Sequence, residues 1–295
     1  MRDYGVDRLT IGINSLNPDI LNNMNRHHTV QQAIESIEAS RKFGYKLNIE
    51  FIFGYPGQTL ESWIDDMELA MSLDVDEIQL YRLKVEAYGD YQGPIKTVVH
   101  NEAAPVLSDE ETLTMKRITI DMLTNRNFTE NIRRVFGRSK KIYSHYAWNQ
   151  CCMLYDEIGF GLTVFSSLRN RFVLNTQYFD EYYASIEAGR LPLNRGLVRN
   201  DEEQKRWAII LPIKNSFVNK TIFKERTGES VENVFTDKMN RLKAHGLIVE
   251  DEKKIQTTKL GAFFADEVAQ QFHHPDYIPF SRDEYEEDVL NPHLP

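Results

Sequence analysis

Short apolar segments alternate with helix-like segments over the first 90 residues. Residues 6–13 alternate between apolar and polar side chains, residues 47–53 contain an apolar run, 49–53, with one carboxylate, and residues 77–85 are again mostly apolar. Such segments predict strands, and the stretches between them have the length of the crossover helices that join parallel strands. The pattern predicts three β/α units, which are too few for a closed barrel. It fits the later half of an open or partial β/α barrel.

Capping residues mark where the helices begin. Thr29, Thr59 and Ser108 each stand just before an amphipathic stretch, and each has the side-chain oxygen that accepts a hydrogen bond from the first turn of a helix. Gly44 is the predicted end of the helix that Thr29 opens. The helix after Ser108 is predicted to end near residue 125.

The chain divides into three predicted domains. A connector that contains Gly and Pro, residues 88–107, ends the β/α units, so the first domain is residues 1–107. Residues 108–200 form a mixed region whose aromatic stretch, 143–165, is expected to line a substrate cavity. Helical patterns and two short strands over residues 201–295 predict a winged-helix-like C-terminal domain. Its predicted elements are helices 201–214, 220–227, 230–245 and 259–272 and strands 246–249 and 255–258.

Composition excludes several classes of protein. The 295 residues carry a net charge of −9, from 35 Lys and Arg against 44 Asp and Glu, which disfavours nucleic acid as a partner. No apolar run approaches the roughly 20 residues that cross a bilayer. The two cysteines, Cys151 and Cys152, are adjacent. Vicinal cysteines rarely pair, so we expect a reducing, cytoplasmic location.

Glu50 is the one carboxylate inside the apolar run at 49–53. Burying a carboxylate without a partner is costly, so Glu50 either pairs with an Arg or Lys of a neighbouring strand or faces a polar cavity. In a cavity it would bind the hydroxyl or ammonium groups of a ligand. The loop that follows, beginning at Gly54, is either a simple turn or a backbone that a ligand approaches closely.

Two further polar residues lie where neighbouring strand ends are expected to converge. Asn14 ends the first predicted strand, and Arg26 follows it by twelve residues. Arg26 is either a solvated surface charge or joins Asn14 and Glu50 on one rim. Adjacent pairs of metal-ligating residues lack the spacing of a zinc or iron–sulfur site, so no metal ligand is predicted. These pairs are His27–His28, Cys151–Cys152 and His273–His274.

Several stretches, in one order along the chain, resemble the radical SAM proteins of the oxygen-independent coproporphyrinogen III oxidase family. The resemblance rests on residues 5–15 (GVDRLTIGINS), Arg26, residues 48–59 (NIEFIFGYPGQT), residues 158–161 (IGFG) and the tail. It implies an α/β fold. The chain would hold the C-terminal half of a partial (β/α)6 radical SAM barrel, followed by a mixed α+β region and a winged-helix-like C-terminal domain.

The resemblance also implies cofactors and partners. Members of the family bind S-adenosylmethionine and a [4Fe-4S] cluster and cleave the former reductively to a 5′-deoxyadenosyl radical, which abstracts hydrogen from a tetrapyrrole or similar substrate. Flavodoxin or ferredoxin is an implied electron donor. By position, Asn14 and Arg26 fall on a Gln and an Arg that contact S-adenosylmethionine. Glu50 falls on the Asp that holds the ribose, Phe165 lies near the apolar contact to the adenine, and Gly54 begins the adjoining loop. No catalytic residue is identified.

Two departures from the family pattern bear on activity. The cluster-binding CxxxCxxC and the glycine-rich strand after it do not occur in the chain, and in this family both lie upstream of Met1. We therefore expect a fragment or a truncated reading frame that is inactive by itself. The changes from Gln to Asn14 and from Asp to Glu50 each alter side-chain reach by a methylene group, which indicates a divergent subgroup.

A function of another class stays open. A non-catalytic haem- or tetrapyrrole-binding protein, or a haem chaperone, would hold its ligand through axial histidines. The candidate ligands are His27, His28, His145, His273 and His274. A winged-helix regulator with a degenerate barrel is a third alternative.

Overall fold

The computed structural model describes residues 1–83 and 107–294, which fall into two units, Met1–Tyr143 and Ser144–Pro295. The predicted connector over 88–106 and the predicted strand beyond Leu83 lie outside the described residues. The division into three domains stays a prediction.

The first unit begins with the three predicted β/α units. Its strands are β1 (Arg8–Asn14), β2 (Lys46–Phe53), β3 (Glu77–Arg82), β4 (Thr129–Ile132) and β5 (Val135–Gly137). Its helices are α1 (Pro18–Asn23), α2 (Val30–Lys42), α3 (Leu60–Ser72) and α4 (Asp109–Asn125). Capping boxes at Thr29, Thr59 and Ser108 fix the starts of α2, α3 and α4, because each side chain accepts the backbone N–H three residues on.

One mixed sheet organises the first unit. Its strand order is β1-β2-β3-β5-β4, in which β1, β2 and β3 are parallel and β5 runs antiparallel to both β3 and β4. The α/β fold class is confirmed, and the described strands do not close into a barrel. The sequence did not predict the antiparallel pair β4–β5.

The two faces of this sheet differ in polarity. On β2, Ile49 and Phe51 are fully buried in the apolar core with Trp63 of α3. Each such side chain contributes about 1.5–3 kcal/mol to folding. The alternate positions carry Asn48 and Glu50, and Glu50 is only half-buried. The second face of β2 is therefore polar, buried at Asn48 and partly accessible at Glu50.

The second unit contains two small antiparallel sheets. Its strands are β6 (Phe165–Leu168), β7 (Arg171–Asn175), β8 (Leu193–Val198), β9 (Phe217–Asn219), β10 (Ile248–Glu250) and β11 (Lys254–Thr257). They form the sheets β6-β7-β8 and β10-β11-β9. Its helices are α5 (His145–Cys151), α6 (Phe179–Glu187), α7 (Asp201–Asn215), α8 (Lys220–Thr227), α9 (Val231–Val234), α10 (Thr236–Ala244), α11 (Lys259–Phe263) and α12 (Ala265–Gln270).

Phe235 breaks the helix that the sequence predicts over residues 230–245. Its backbone leaves helical geometry, with φ −128° and ψ 34°, and its ring packs edge-on against Phe223 and Phe272. Aromatic packing therefore divides one predicted helix into α9 and α10. Helices α7, α8 and α10 share an apolar core with β10 and β11. The winged-helix assignment for this region stays a prediction.

Short 3-10 helices lie at Arg2–Tyr4, Pro275–Tyr277 and Arg282–Glu284. Within residues 1–83 and 107–294, no helix is both long and apolar enough to span a membrane.

Candidate functional site

A β-bulge presents Asn14 at the end of β1. Gly12 lies opposite Glu50, but the next paired residue is Asn14 opposite Phe51, so one extra residue is accommodated on β1. That residue, Ile13, is fully buried in the core. Asn14 adopts φ 69°, a left-handed conformation that asparagine tolerates better than most residues. Bulges of this kind re-aim side chains beside functional sites.

The turn after α1 brings Arg26 to Asn14. Asn25 adopts φ 54°, and the backbone N–H of Arg26 donates to the carbonyl of Leu21 at 2.9 Å, which closes the end of the helix. With the amide oxygen of Asn14 facing the guanidinium, Oδ1 accepts hydrogen bonds from Nε of Arg26 at 2.6 Å and from Nη2. This orientation satisfies donor and acceptor alike. The predicted convergence of Asn14 and Arg26 is therefore what the structure has.

A buried hydrogen bond fixes the loop between β1 and α1. The hydroxyl of Ser15 donates to Oδ2 of Asp66 on α3 at 2.6 Å, and both residues are almost fully buried. Ser15 Oγ also accepts the backbone N–H of Asn17 at 3.0 Å. Burial raises the pKa of Asp66, and the hydrogen bond from Ser15 partly opposes that shift. The loop that carries Asn14 is thus tied to a neighbouring helix.

Glu50 points from the polar face of β2 toward β3. Its Oε1 accepts a hydrogen bond from the hydroxyl of Tyr81 at 3.2 Å. No Arg or Lys within the described ranges forms an ion pair with Glu50. The alternative that Glu50 belongs to a structural ion pair therefore has no support among these residues, and a role in ligand binding stays a prediction.

Packing accounts for the glycine that begins the loop after β2. Gly54 adopts φ 78°, and a Cβ at this position would lie 2.8 Å from Cγ2 of Thr112 on α4. The side chain of Gln58 holds the loop by accepting the N–H of Tyr55 at 2.9 Å and donating to the carbonyl of Ile52 at 3.0 Å. Contacts within the first unit, with Thr112 and Gln58, therefore hold the loop. Its close approach to a ligand stays a prediction.

Phe165 lies in the second unit, at the start of β6. Its side chain is about one-third exposed and stacks on Phe172 of β7, with ring centroids 5.4 Å apart. The predicted contact of Phe165 with an adenine stays a prediction.

The residues present do not fit an iron–sulfur cluster. Such a cluster needs several thiolate ligands, and the chain has only Cys151 and Cys152. Burial raises the pKa of Cys151 to about 11 and that of Cys152 to about 12, so both thiols stay protonated at neutral pH. In the part of the chain that the structure describes, no three His, Cys, Asp or Glu side chains come together as metal ligands.

Sequence reasoning missed the polar residues that surround Glu50. Asn48 Nδ2 donates to Oε1 of Gln79 at 2.8 Å, Nε2 of Gln79 donates to the hydroxyl of Tyr81, and Tyr81 donates to Glu50. The available signal was the alternation of polar residues at 77, 79 and 81. Relating it to Glu50 requires the register Glu50↔Gln79, which the sequence does not contain.

The polar face combines groups suited to one kind of ligand. Arg26 is exposed, and the hydrogen bonds to Asn14 use two of its five N–H groups. Glu50 retains a second carboxylate oxygen, Oε2, and Ile52 adds a half-buried apolar side chain on the same face. A guanidinium binds carboxylates, and a carboxylate accepts hydrogen bonds from vicinal hydroxyls. The arrangement matches a ligand that has both an acid group and a diol.

The second unit contains a cavity. It has a volume of about 520 Å³ and lies between β7, β8, α7 and the segment after α12. Its walls include Phe172, Trp207, Ile210, Lys214, His273 and His274. Burial lowers the pKa of His273, and the charges of Lys214 and Arg206 lower it further. Its imidazole is therefore neutral at pH 7.

Comparison with known proteins places the chain beside radical SAM proteins. The sequence model of the radical SAM superfamily matches residues 1–70. The haem chaperone HemW of Bacillus subtilis (strain 168) is 24% identical over 282 residues, which cover 92% of this chain and 71% of that protein. The oxygen-independent coproporphyrinogen III oxidase of Helicobacter pylori (strain 26695) is 22% identical over 285 residues, or 92% of this chain and 61% of that enzyme.

A solved structure shares the fold. Coproporphyrinogen III oxidase (HemN) from Escherichia coli, described as a radical SAM enzyme, superposes with a TM-score of 0.73 and 20% identity, over 92% of this chain and 65% of that one. The chain spans 71% of the length of the haem chaperone and 61% of the length of the Helicobacter oxidase. The predicted resemblance to radical SAM proteins of the coproporphyrinogen III oxidase family is confirmed.

Proposed function

We propose that the polar face of the first unit binds S-adenosylmethionine, as part of a radical SAM protein whose substrate is a tetrapyrrole or a related molecule. One observation carries the proposal. The Asn14–Arg26 pair lies at the carboxyl end of β1, and Glu50 lies on the adjacent parallel strand with one oxygen available. Ligands of open α/β sheets bind at the carboxyl ends of the strands.

Arg26 is assigned to the carboxylate of the methionine moiety. Asn14 holds Nε and Nη2 of the guanidinium, which restricts its rotation before the ligand arrives. An exposed arginine on a flexible side chain loses entropy on binding, and a partner that orients it beforehand reduces this loss. The remaining N–H groups match the two oxygens of a carboxylate.

Glu50 is assigned to the ribose. Its carboxylate carries no ion-pair partner among the described residues and is half-buried, so it accepts hydrogen bonds from neutral donors without competition from a cation. The two hydroxyls of a ribose are such donors, and a hydrogen bond to a charged acceptor contributes about 1.5–3 kcal/mol.

The proposal for this chain is confined to binding and orientation. Radical SAM chemistry uses an electron to cleave S-adenosylmethionine, but the described residues hold no ligand set for a cluster, so we assign no redox step to them. The names of the relatives, a haem chaperone and a coproporphyrinogen oxidase, support a tetrapyrrole as the substrate class. A flavodoxin or ferredoxin as the electron donor is proposed on the family resemblance alone.

Calorimetric titration of the purified chain with S-adenosylmethionine tests the site. We expect Arg26→Ala and Glu50→Ala each to weaken binding by about tenfold or more, because each removes hydrogen bonds that involve a charge. Arg117→Ala and Glu38→Ala are matched controls, since both residues are exposed on helices of the same unit, α4 and α2. Unchanged affinity in both site variants would show that the ligand does not bind here.

A second candidate function rests on the cavity of the second unit. Its volume of about 520 Å³ lies in the range of small-molecule sites, and its walls combine aromatic and aliphatic side chains with the charged residues Arg199, Glu203 and Arg206. Neutral His273 is a competent axial ligand for haem iron. Lys214, which also pairs with Asp266 at 3.0 Å, adds a cation that suits a propionate. These features support a haem-binding or chaperone role, as the name of the Bacillus relative also does.

Haem titration distinguishes this candidate. We expect a shifted Soret band in the wild-type chain that is lost in His273→Ala and kept in His245→Ala, an exposed histidine of the same unit. A spectrum that does not change at micromolar haem, or that changes equally in both variants, counts against haem binding in this cavity.

A further inference from the structure

We propose that Tyr81 is a positioning residue that orients the Glu50 carboxylate for the vicinal hydroxyls of the ligand. This inference rests on the proposed function of Glu50. It concerns a residue on β3, two strands away from the bulge that carries Asn14. Tyr81 acts through Glu50 and has no assigned contact with the ligand.

The hydrogen bonds around Tyr81 run in one direction. Asn48 donates to Gln79 at 2.8 Å, so the amide of Gln79 presents its N–H group to the Tyr81 oxygen. A phenol has one proton. Since its oxygen already accepts the hydrogen bond from Gln79, the proton of Tyr81 is directed at Oε1 of Glu50, 3.2 Å away. The network therefore delivers a donor to one defined oxygen of the carboxylate.

Fixing Oε1 also fixes the position of the other oxygen. Oε2 of Glu50 lies over Gly12 of β1, where an added Cβ would be 3.8 Å away. The absence of a side chain at Gly12 leaves space above the strand next to Asn14. Glutamate has several rotatable side-chain bonds, and the hydrogen bond from Tyr81 selects the rotamer that presents Oε2 at this place.

The surroundings keep Tyr81 protonated and in place. Burial and the neighbouring Glu50 raise the pKa of Tyr81, so the hydroxyl remains a donor throughout the neutral range. Arg134 lies over the Tyr81 ring, with its guanidinium carbon 5.5 Å from the ring centroid, and restricts the ring from the β5 side. Gln79 thus holds the hydroxyl of Tyr81, and Arg134 covers its ring.

Ligand discrimination by Tyr81→Phe is the decisive test. Adenosine and 2′,3′-dideoxyadenosine compete with S-adenosylmethionine for the purified chain, and the variant is compared with wild type and with Tyr45→Phe, a tyrosine of the core of the same unit. We expect Tyr81→Phe to weaken the affinity for adenosine about fivefold and to change the affinity for dideoxyadenosine less than twofold. Only adenosine has the diol that binds the oriented carboxylate. Tyr45→Phe should leave both unchanged.

A double-mutant cycle separates the two proposals. In the Glu50→Ala background, Tyr81→Phe should have no further effect, because a positioning residue has nothing left to orient. The positioning role is wrong if Glu50→Ala weakens adenosine binding and Tyr81→Phe does not. It is also wrong if Tyr81→Phe weakens the binding of both nucleosides equally. If Glu50→Ala itself has no effect, the proposed binding site fails instead. Should Tyr81→Phe unfold the chain, Gln79→Met, which removes the donor to Tyr81, replaces it with the same expected discrimination.

Discussion

Glu77 is a fully buried carboxylate at the start of β3, and it shows how the sheet tolerates charge. Arg8 of β1 donates to its Oε2 from Nε at 2.8 Å, while Oε1 has no hydrogen-bond partner among the described residues. Burial raises the pKa of Glu77, and Arg8 opposes the shift. Glu50 is the contrasting case. It is half-buried and held by a neutral hydroxyl, so its carboxylate remains available to a ligand.

Removing Arg8 tests this difference between Glu77 and Glu50. We expect Arg8→Met to lower the free energy of unfolding by about 3 kcal/mol, because it leaves a buried charge unpaired, and Arg8→Met with Glu77→Leu to recover most of the loss. A carboxyl whose folded-state pKa is raised stabilises the fold below its unfolded pKa and loses this contribution as pH rises through the folded-state pKa. Without Arg8 the pKa rises further, so the loss should be larger at pH 8 than at pH 5.

Urea denaturation of the three proteins at both pH values measures these differences. If the two substitutions lower the free energy of unfolding additively, Arg8 and Glu77 do not stabilise each other. If the loss in Arg8→Met does not depend on pH, it does not come from the charge of Glu77.

The loop between β2 and α3 is the element on which the proposed site depends. Two features favour glycine at position 54. Its backbone is left-handed, and Thr112 on α4 lies so close that an added Cβ would clash with it. The packing of α4 therefore restricts the backbone just after β2, four residues beyond Glu50. This link joins core packing to the geometry of the ligand site.

Gly54→Ala, compared with a glycine that has only the left-handed backbone, separates the two effects. We expect a loss of about 2–4 kcal/mol, from backbone strain plus the clash with Thr112. Gly5→Ala is the matched control, because Gly5 has a similar φ of 84° but no atom within 4 Å of the added Cβ. It should lose only the strain, about 1 kcal/mol. Thermal melts of both variants give the comparison, and equal losses would show that contact with Thr112 does not matter.

Local signals explain which elements the sequence predicts. Capping boxes at Thr29, Thr59 and Ser108 are contained within four residues, so the predicted starts of α2, α3 and α4 agree with the structure. Strands β4 and β5 have four and three residues, too few for a periodic pattern. The division at Phe235 depends on rings distant in sequence, which no local window contains.

The sequence predicts some residues of the candidate site and not others. Asn14, Arg26 and Glu50 follow from strand ends and from family resemblance, and the structure brings Asn14 and Arg26 into hydrogen-bond contact. Tyr81 was missed because its role depends on the register of β2 against β3 and on the direction of three hydrogen bonds. These are tertiary properties. Only the alternation of residues 77, 79 and 81 indicates them in the sequence.

Each of the two units has an apolar core of its own. The core of the first unit lies between the sheet and α2, α3 and α4, and that of the second lies among α7, α8, α10 and β10–β11. Asn14, Arg26 and Glu50, the residues assigned to S-adenosylmethionine, belong to the first unit, and the proposed haem cavity belongs to the second. The two proposals can therefore be tested independently in one chain.

Hydrogen exchange of the whole chain, with and without saturating S-adenosylmethionine, tests whether the strand ends of the first unit bind this ligand. Exchange reports where a ligand stabilises the backbone. We expect slower exchange in three segments, residues 12–15, 24–28 and 50–55, with the protection lost in Arg26→Ala. Protection confined to the second unit, or binding without protection of these three segments, would contradict the proposal that the strand ends of the first unit form the S-adenosylmethionine site.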